Sequence, residues 1–307
     1  MPARRVPAAT SWLAGLAVAG MAVVPVVAGG YTLYLATEAM VWSLAAAALG
    51  LLVGHAGVVS LGHAAFFGIG AYSVGLLVKA GVDLWVGLGA AVLLAAAFAA
   101  LTGPLALRGH GVVVLMVTLA FAQMVYSAAY RWKWLTGGDD GLALPKLGGR
   151  PELFYAASVV LVVACVAVLR RLVASPYGQA LEAIRQNESK ARALGIPAFP
   201  YKLAAYTLSA ALTGLAGGLL AIHRNFVSPH DLYWVTSATL LVMVLLGGSR
   251  GFVGAVVGAT LYVFLQAWVS SRTEFWSLFL GLVLVLTILG SREGLWGLLA
   301  RRWSRRA

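Results

Sequence analysis

Apolar runs of roughly membrane-spanning length follow one another along nearly the whole chain, and they leave few folds open. Inside a bilayer every backbone amide needs a partner within the protein, so a spanning chain is either helical or a closed barrel. The runs here are continuous rather than alternating, which selects helices of about 20 residues. Only 10% of the 307 residues are charged and 61% are hydrophobic, against roughly 25% charged in a soluble domain. The reading is an all-α integral membrane protein with about ten transmembrane helices, some of them Gly-interrupted. Nine spans are expected at Trp12–Ala28, Tyr31–Val53, Leu84–Leu107, Val112–Tyr130, Leu153–Leu169, Tyr201–Ile222, Val235–Leu246, Phe252–Val269 and Phe275–Leu289. The run after Arg4 and Arg5 is long for a signal peptide and no A-x-A cleavage site closes it, so it is read as a retained span.

The tenth crossing is GHAGVVSLGHAAFFGIGAY, Gly54 to Tyr72. Five glycines in one crossing suit backbone that is buried in protein or lines a cavity. It is expected beside a translocation path, with Ser60, Gly62, His63, Phe66, Phe67 and Gly70 near the cavity; the plainer reading is a helix-packing face. Gly50/Gly54 and Gly214/Gly218 form GxxxG pairs that favour close helix packing. The segment Gly247–Tyr262 faintly echoes the Gly-rich crossing, with a glycine break beside Phe252.

Ten crossings put fifteen of the 22 Lys and Arg residues on one side and seven on the other. The positive-inside rule makes the richer side cytoplasmic. That places residues 1–11, the basic tail 292–307 and the segment 175–196 in the cytoplasm, around a membrane bundle spanning 12–291. The net charge of +12 is thus a matter of topology and anionic lipid, not of nucleic acid.

Ser175–Ile196, SPYGQALEAIRQNESKARALGI, is the longest charge-bearing stretch between apolar runs. Ser175 suits an N-cap and Pro176 the first helical turn. Gly195 suits a left-handed helix end and Pro197 blocks continuation. Leu181, Ile184, Ala191 and Leu194 fall on one stripe, flanked by Glu182–Arg185 and Glu188–Arg192 pairs. Gln186–Ser189 breaks the run into two short helices. The stretch is either a solvated loop helix or a docking helix for a cytosolic protein.

Other chemistry is sparse. No G-x4-GK[ST] or HExxH pattern occurs, and no cofactor or metal site is expected; His55 and His63 lack companion ligands. Cys165 lies in an apolar run as an inert thiol. Glu38 is an acid within a span, where carboxylates mark ion paths or bond to neighbouring helices. The loop Arg131–Glu152 holds LTGGDDGL, Leu135 to Leu142, on the outer side.

Taken together, Gly54–Tyr72, Leu135–Leu142, Ser175–Ile196 with Lys202, Leu212–Ala221 and the stretch from Ser228 resemble the permease subunit of branched-chain amino-acid ABC importers, of the LivM type. The resemblance runs from Tyr31 to Leu289. It implies a multi-pass plasma (inner) membrane subunit without its own ATPase site, paired with a second homologous permease, two cytosolic ATPase subunits and an extracytoplasmic substrate-binding protein. Glu182-Ala183-Ile184 stands in place of the usual EAA loop of ABC permeases, with Gly195 too far downstream for the usual spacing. ATPase coupling is then expected at Leu181, Glu182, Ala183, Ile184, Arg185, Asn187, Glu188, Ala191, Leu194 and Gly195. Docking of the binding protein is expected at Gly137, Gly138, Asp139, Asp140 and Gly141. Two alternatives stay open: a secondary transporter working through Glu38, and an importer of the same family for urea or amides.

Overall fold

A computed structural model describes residues 29–145, 150–248 and 251–290. The first expected span, the basic tail, Lys146 and Arg250 lie outside the described residues. Nine apolar helices occur among the described residues: α1 (Gly30–Leu51), α2 (His63–Lys79), α3 (Leu84–Ala106), α4 (Val112–Arg131), α6 (Pro151–Ala174), α9 (Ala198–Arg224), α10 (Trp234–Gly247), α11 (Phe252–Ser270) and α12 (Trp276–Gly290). Three short helices join them: α5 (Lys133–Thr136), α7 (Pro176–Gln186) and α8 (Glu188–Ala193). Six helices are long and apolar enough to cross a membrane alone. Nine of the ten expected crossings fall within the described residues, where six are full-length helices and three, α2, α10 and α12, are shorter.

Burial sorts these helices. α1 and α9 form the centre, and Leu44 to Leu52 of α1 is sealed from solvent. α3, α4 and α6 are peripheral, with less than a third of their apolar windows buried. Their exposed residues include Leu93, Leu94, Leu101 and Leu105 on α3, and Val160 and Val168 on α6. In a membrane protein such faces meet lipid or another chain.

Glycine sets the central spacing. A methyl group added at Gly217 of α9 would run into the Phe67 carbonyl of α2, and one at Gly70 of α2 into the Gly214 carbonyl of α9. Gly214 and Gly218, one of the two GxxxG pairs, press on Ala91 of α3. Without a hydrophobic force between helices in lipid, this close contact is what holds them. Gly247, Gly254 and Gly258 bring α10 and α11 together in the same way.

The Gly-rich crossing is an interrupted helix. α1 continues as one π-helical stretch, Leu52–Ala56, and stops at Gly57, whose φ of 68° is left-handed. The chain reverses through residues 57–62 and re-enters the bundle as α2. The second break, between α10 and α11, lies beside the first: the rings of His55 and Phe252 sit 5.2 Å apart.

Gly217→Ala is expected to destabilise the protein by about 1–3 kcal/mol through overpacking, whereas Gly89→Ala, with open space around it, leaves stability unchanged. Thermal unfolding of both variants in detergent checks this.

Candidate functional site

Ser175–Ile196 folds as two short helices docked on one end of the bundle. Ser175 occupies the N-cap position of α7, but its hydroxyl donates to the Leu172 carbonyl at 2.6 Å instead of capping. Asn187 breaks the run with extended backbone and caps α8, accepting from the Lys190 amide at 2.9 Å. Gly195 closes the segment at φ 82°, and the Ile196 amide returns to the Ala191 carbonyl. Arg185 donates to both Glu182 oxygens, at 2.8 and 2.5 Å.

The apolar stripe is already used inside the chain. Leu181 and Ile184 are buried, Leu181 against the bundle core and Ile184 with Ala191 and Ala198. The expectation that Leu181, Ile184 and Leu194 form one docking face is corrected here: a helix end with this little core of its own must spend its apolar face on its own bundle. Leu194 is 81% exposed and Phe199 40% exposed at the apex. Ala183 is half-buried, and Asn187 and Gly195 are exposed.

Contacts of its charged side chains tie the segment to the bundle. Gly57, at the break after α1, packs on the Arg185 side chain; a methyl there would fall 2.7 Å from Cγ. Glu188 pairs with Lys202 of α9 at 2.5 Å and with Arg192 at 2.5 Å. His110, in the α3–α4 connection, lies 3.6 Å from Glu188. Burial raises the Glu188 carboxyl pKa, but Lys202, then Arg192 and His110, pull it below the ordinary value. Glu182 is likewise lowered, first by its hydrogen bond from Arg185.

The break at 57–62 is held by hydroxyl groups from four elements. The Leu61 amide donates to Thr118 Oγ1 of α4 at 3.1 Å, the Gly62 amide to Ser60 Oγ at 3.1 Å, and the Ala64 amide to Ser237 Oγ of α10 at 2.7 Å. Ser209 Oγ of α9 donates to the Ala48 carbonyl at 2.6 Å. Its single hydrogen being spent there, it accepts from His63 Nε2 at 2.9 Å. Nδ1 of His63 is then the acceptor nitrogen, and it has no partner. Phe66 packs edge-on to His63 and Tyr206, and Phe67 stacks on Trp42.

All six residues expected to line a cavity, Ser60, Gly62, His63, Phe66, Phe67 and Gly70, are thus buried within the chain. In the chain by itself they hold the break and the α2–α9 contact.

At the opposite end, Glu38 is not alone. Arg224, the last residue of α9, is ion-paired with Glu38 and lies 3.6 Å from Asp231. His223 stacks on Tyr34 and Phe154. The pair, separated by 186 residues, gives no local signal in the sequence. Burial pushes the Asp231 carboxyl up, with Arg224 opposing.

LTGGDDGL caps this end. Thr136 Oγ1 shares its one hydrogen between the Ala129 and Trp132 carbonyls. Gly137, Gly138 and Gly141 all have positive φ, a conformation other residues enter at a cost. The turn delivers Leu142–Ala143 to pair antiparallel with Phe226–Val227. Asp139 and Asp140 are exposed on its outside.

One polar set escaped the sequence reading. Gln123, Ser127 and Arg131 recur every four residues on α4 and, with Ala120, Met124 and Ala128, line an open groove. Testing the polar residues within the run for 3.6 periodicity would have found them.

The depressed Glu188 pKa has a pH consequence. A carboxylate lowered on folding stabilises above its unfolded value and loses that contribution as pH falls through the folded one. Protection of 188–196 from amide exchange should hold from pH 7 to the ordinary carboxylate value of 4.5 and decline below it. Lys202→Met should reduce protection already at pH 7 and flatten the decline; a pH series of exchange by mass spectrometry checks both.

Comparison with known proteins adds an independent line. The family model described as branched-chain amino acid transport system / permease component matches residues 31–288. The chain is 32% identical to the high-affinity branched-chain amino acid transport system permease protein LivM of Escherichia coli, over 86% of this chain and 69% of the relative. It is 32% identical to the LivM protein of Salmonella typhimurium, over 85% and 69%. A probable branched-chain amino acid transport permease protein LivH of Methanocaldococcus jannaschii is 29% identical over 36% of this chain and 35% of the relative. No solved structure matches. The match covers the bundle, the broken helix and the docked segment alike, and the chain belongs to the branched-chain amino acid transport permease family.

Proposed function

We propose that this chain is one of two permease subunits of an ATP-driven importer carrying branched-chain amino acids into the cell. The second permease, two cytosolic ATPase subunits and an extracytoplasmic binding protein complete it, in a plasma (inner) membrane with both termini cytoplasmic. The observation that carries the reading is the two-helix segment 175–196. It is locked to the break after α1 through Arg185 and Gly57, and it keeps an apolar apex exposed at Leu194. Such a device transmits force from a partner to the bundle; family membership supplies the cargo class and the kind of partner. The ion pair of Glu38 with Arg224 gives that acid a structural task and removes the motive for a gradient-driven path.

In this reading the ATPase meets Leu194, Gly195 and Phe199, flanked by Lys190, Arg192 and Asn187, while Leu181, Glu182, Ala183, Ile184, Arg185, Glu188 and Ala191 form the rigid base. Leu194→Asp should abolish uptake and the ATP hydrolysis stimulated by transport, with the permease inserted and folded. Ile184→Asp should instead lower folding yield, because it buries a charge in the chain's own core. Normal uptake by Leu194→Asp would overturn the docking assignment.

At the other end, the binding protein docks on the turn Gly137–Gly141 through Asp139 and Asp140. Exposed rim charges govern association rate more than transport chemistry. Asp139→Asn with Asp140→Asn should raise the binding-protein concentration for half-maximal transport. The effect should shrink with salt, since screening acts over about 8–10 Å near physiological ionic strength. Transport by reconstituted complex at two salt levels reads both outcomes.

A further inference from the structure

The turn that ends α1 leaves one carbonyl of the buried centre without its helical partner. In a regular α-helix the Ala48 carbonyl accepts from the Leu52 amide, four residues on. Here the Leu52 amide bonds to the Leu49 carbonyl instead, and the amides of Gly57 and Val58 both reach the Leu52 carbonyl across the π-helical stretch. Ala48, Leu52, Ser209 and His63 are all sealed from solvent, so bulk water does not replace the lost bond. The Ser209 hydroxyl of α9 does, donating to Ala48 at 2.6 Å, and His63 Nε2 of α2 donates to Ser209 at 2.9 Å.

Ser209 departs from a habit of this bundle. Ser73, Thr102, Ser158 and Thr213 each donate to the carbonyl four residues back in their own helix, a usual choice for Ser and Thr. For Ser209 that acceptor would be the Ala205 carbonyl, one turn away on α9. Two arrangements of the same groups are therefore each complete. In the one seen, Ser209 holds Ala48 and the end of α1 is π-wound. In the other, the Leu52 amide takes Ala48, the Val53 amide takes Leu49, and Ser209 donates to Ala205 while still accepting from His63. One hydroxyl hydrogen changes hands between the carbonyls of two helices, and none of these buried groups is stranded in either arrangement.

What turns between the two arrangements is the end of α1. It carries the His55 ring, 5.2 Å from Phe252 at the start of α11. Beyond it stands Gly57, against the Arg185 side chain of the docked segment. π-turns inside α-helices recur at functional sites, and packed interiors switch between discrete arrangements. Resting on the importer reading, we propose that the Leu52–Ala56 turn is a hinge that winds and unwinds in each transport cycle, with Ser209 as its positioning residue. Force on the segment 175–196 enters through Arg185 and Gly57. The transfer of the Ser209 hydrogen lets it rotate the end of α1 against α2 and α9.

The test uses the complete complex of both permeases, ATPases and binding protein, reconstituted in lipid. Leucine uptake by the unsubstituted complex is measured first: its absence with ATP present would count against the importer reading, whereas an importing complex that fails the measurement below counts only against the hinge. Amide exchange of residues 49–58 is followed by mass spectrometry, without nucleotide and with ATP and vanadate. Exchange should be at least threefold faster in one state than in the other. Ser209→Ala removes the competing donor, so the Leu52 amide keeps Ala48; exchange should stay at the slower rate in both states, and uptake should fall tenfold or more in a complex that still assembles. Ser158→Ala, which removes a hydroxyl bonded within its own helix, should keep both the alternation and the uptake. Equal exchange in the two states of an importing wild-type complex would overturn the proposal even where Ser209→Ala fails to fold, and so would alternation that persists in Ser209→Ala.

Discussion

Irregular backbone buried among apolar helices persists only where each of its amides finds an acceptor. At the break at 57–62 the Leu61 amide finds Thr118 of α4, and where the chain re-enters as α2 the Ala64 amide finds Ser237 of α10 and the His63 ring finds Ser209 of α9. The dependence runs both ways. The hydroxyls fix the break, and the break fixes the positions of α4, α9 and α10 relative to α1. Glycine contacts between α2 and α9 set the remaining distance, because a Cβ at Gly70 or Gly217 would strike the facing backbone. The bundle is therefore organised around an interruption and not around a continuous helix.

That arrangement gives its two ends different characters. At the segment end, the charges Glu182, Arg185, Glu188, Arg192 and Lys202 are hydrogen-bonded to one another and partly open to water. Pairs of this kind hold geometry at modest energy and respond to salt and pH. At the opposite end, Glu38, Arg224 and Asp231 are shielded by Tyr34, His223 and the paired strands. Removing one partner there leaves an uncompensated charge, which costs far more than the pair yields. The first end suits a contact that forms and releases; the second suits a fixed cap.

Much of this was legible in the sequence. Length and hydropathy give the spans, Pro176 and Gly195 bracket the segment, and Gln186–Ser189 marks its break at Asn187. The local signals end where partners lie far apart in the chain. Neither Glu38 with Arg224 nor His63 with Ser209 leaves a spacing pattern, because the contact is made by helix packing. The amphipathic stripe Leu181–Leu194 misleads for a related reason. Periodicity shows that a face is apolar without showing which neighbour covers it, and here the neighbour is the chain's own bundle for every stripe residue except Leu194. The glycines of one crossing likewise announce close approach without naming the neighbour: Gly57 meets Arg185 of the segment, Gly62 meets Thr118 of α4, Gly68 meets Leu232 and Gly70 meets Gly214 of α9.

The packed centre and the lightly buried periphery divide in the same way. α1 with α2 and α9 is packed to backbone contact, and Gly70, Gly214 and Gly217 hold that distance. Peripheral α4 is lightly buried, and its Thr118 hydroxyl accepts the Leu61 amide from the break. Interiors packed to this density switch between discrete arrangements more readily than they deform. In the proposed importer, motion delivered at Arg185 would therefore reach α4 through Gly57 and Leu61, with the break serving as lever and the α2–α9 contact as fulcrum.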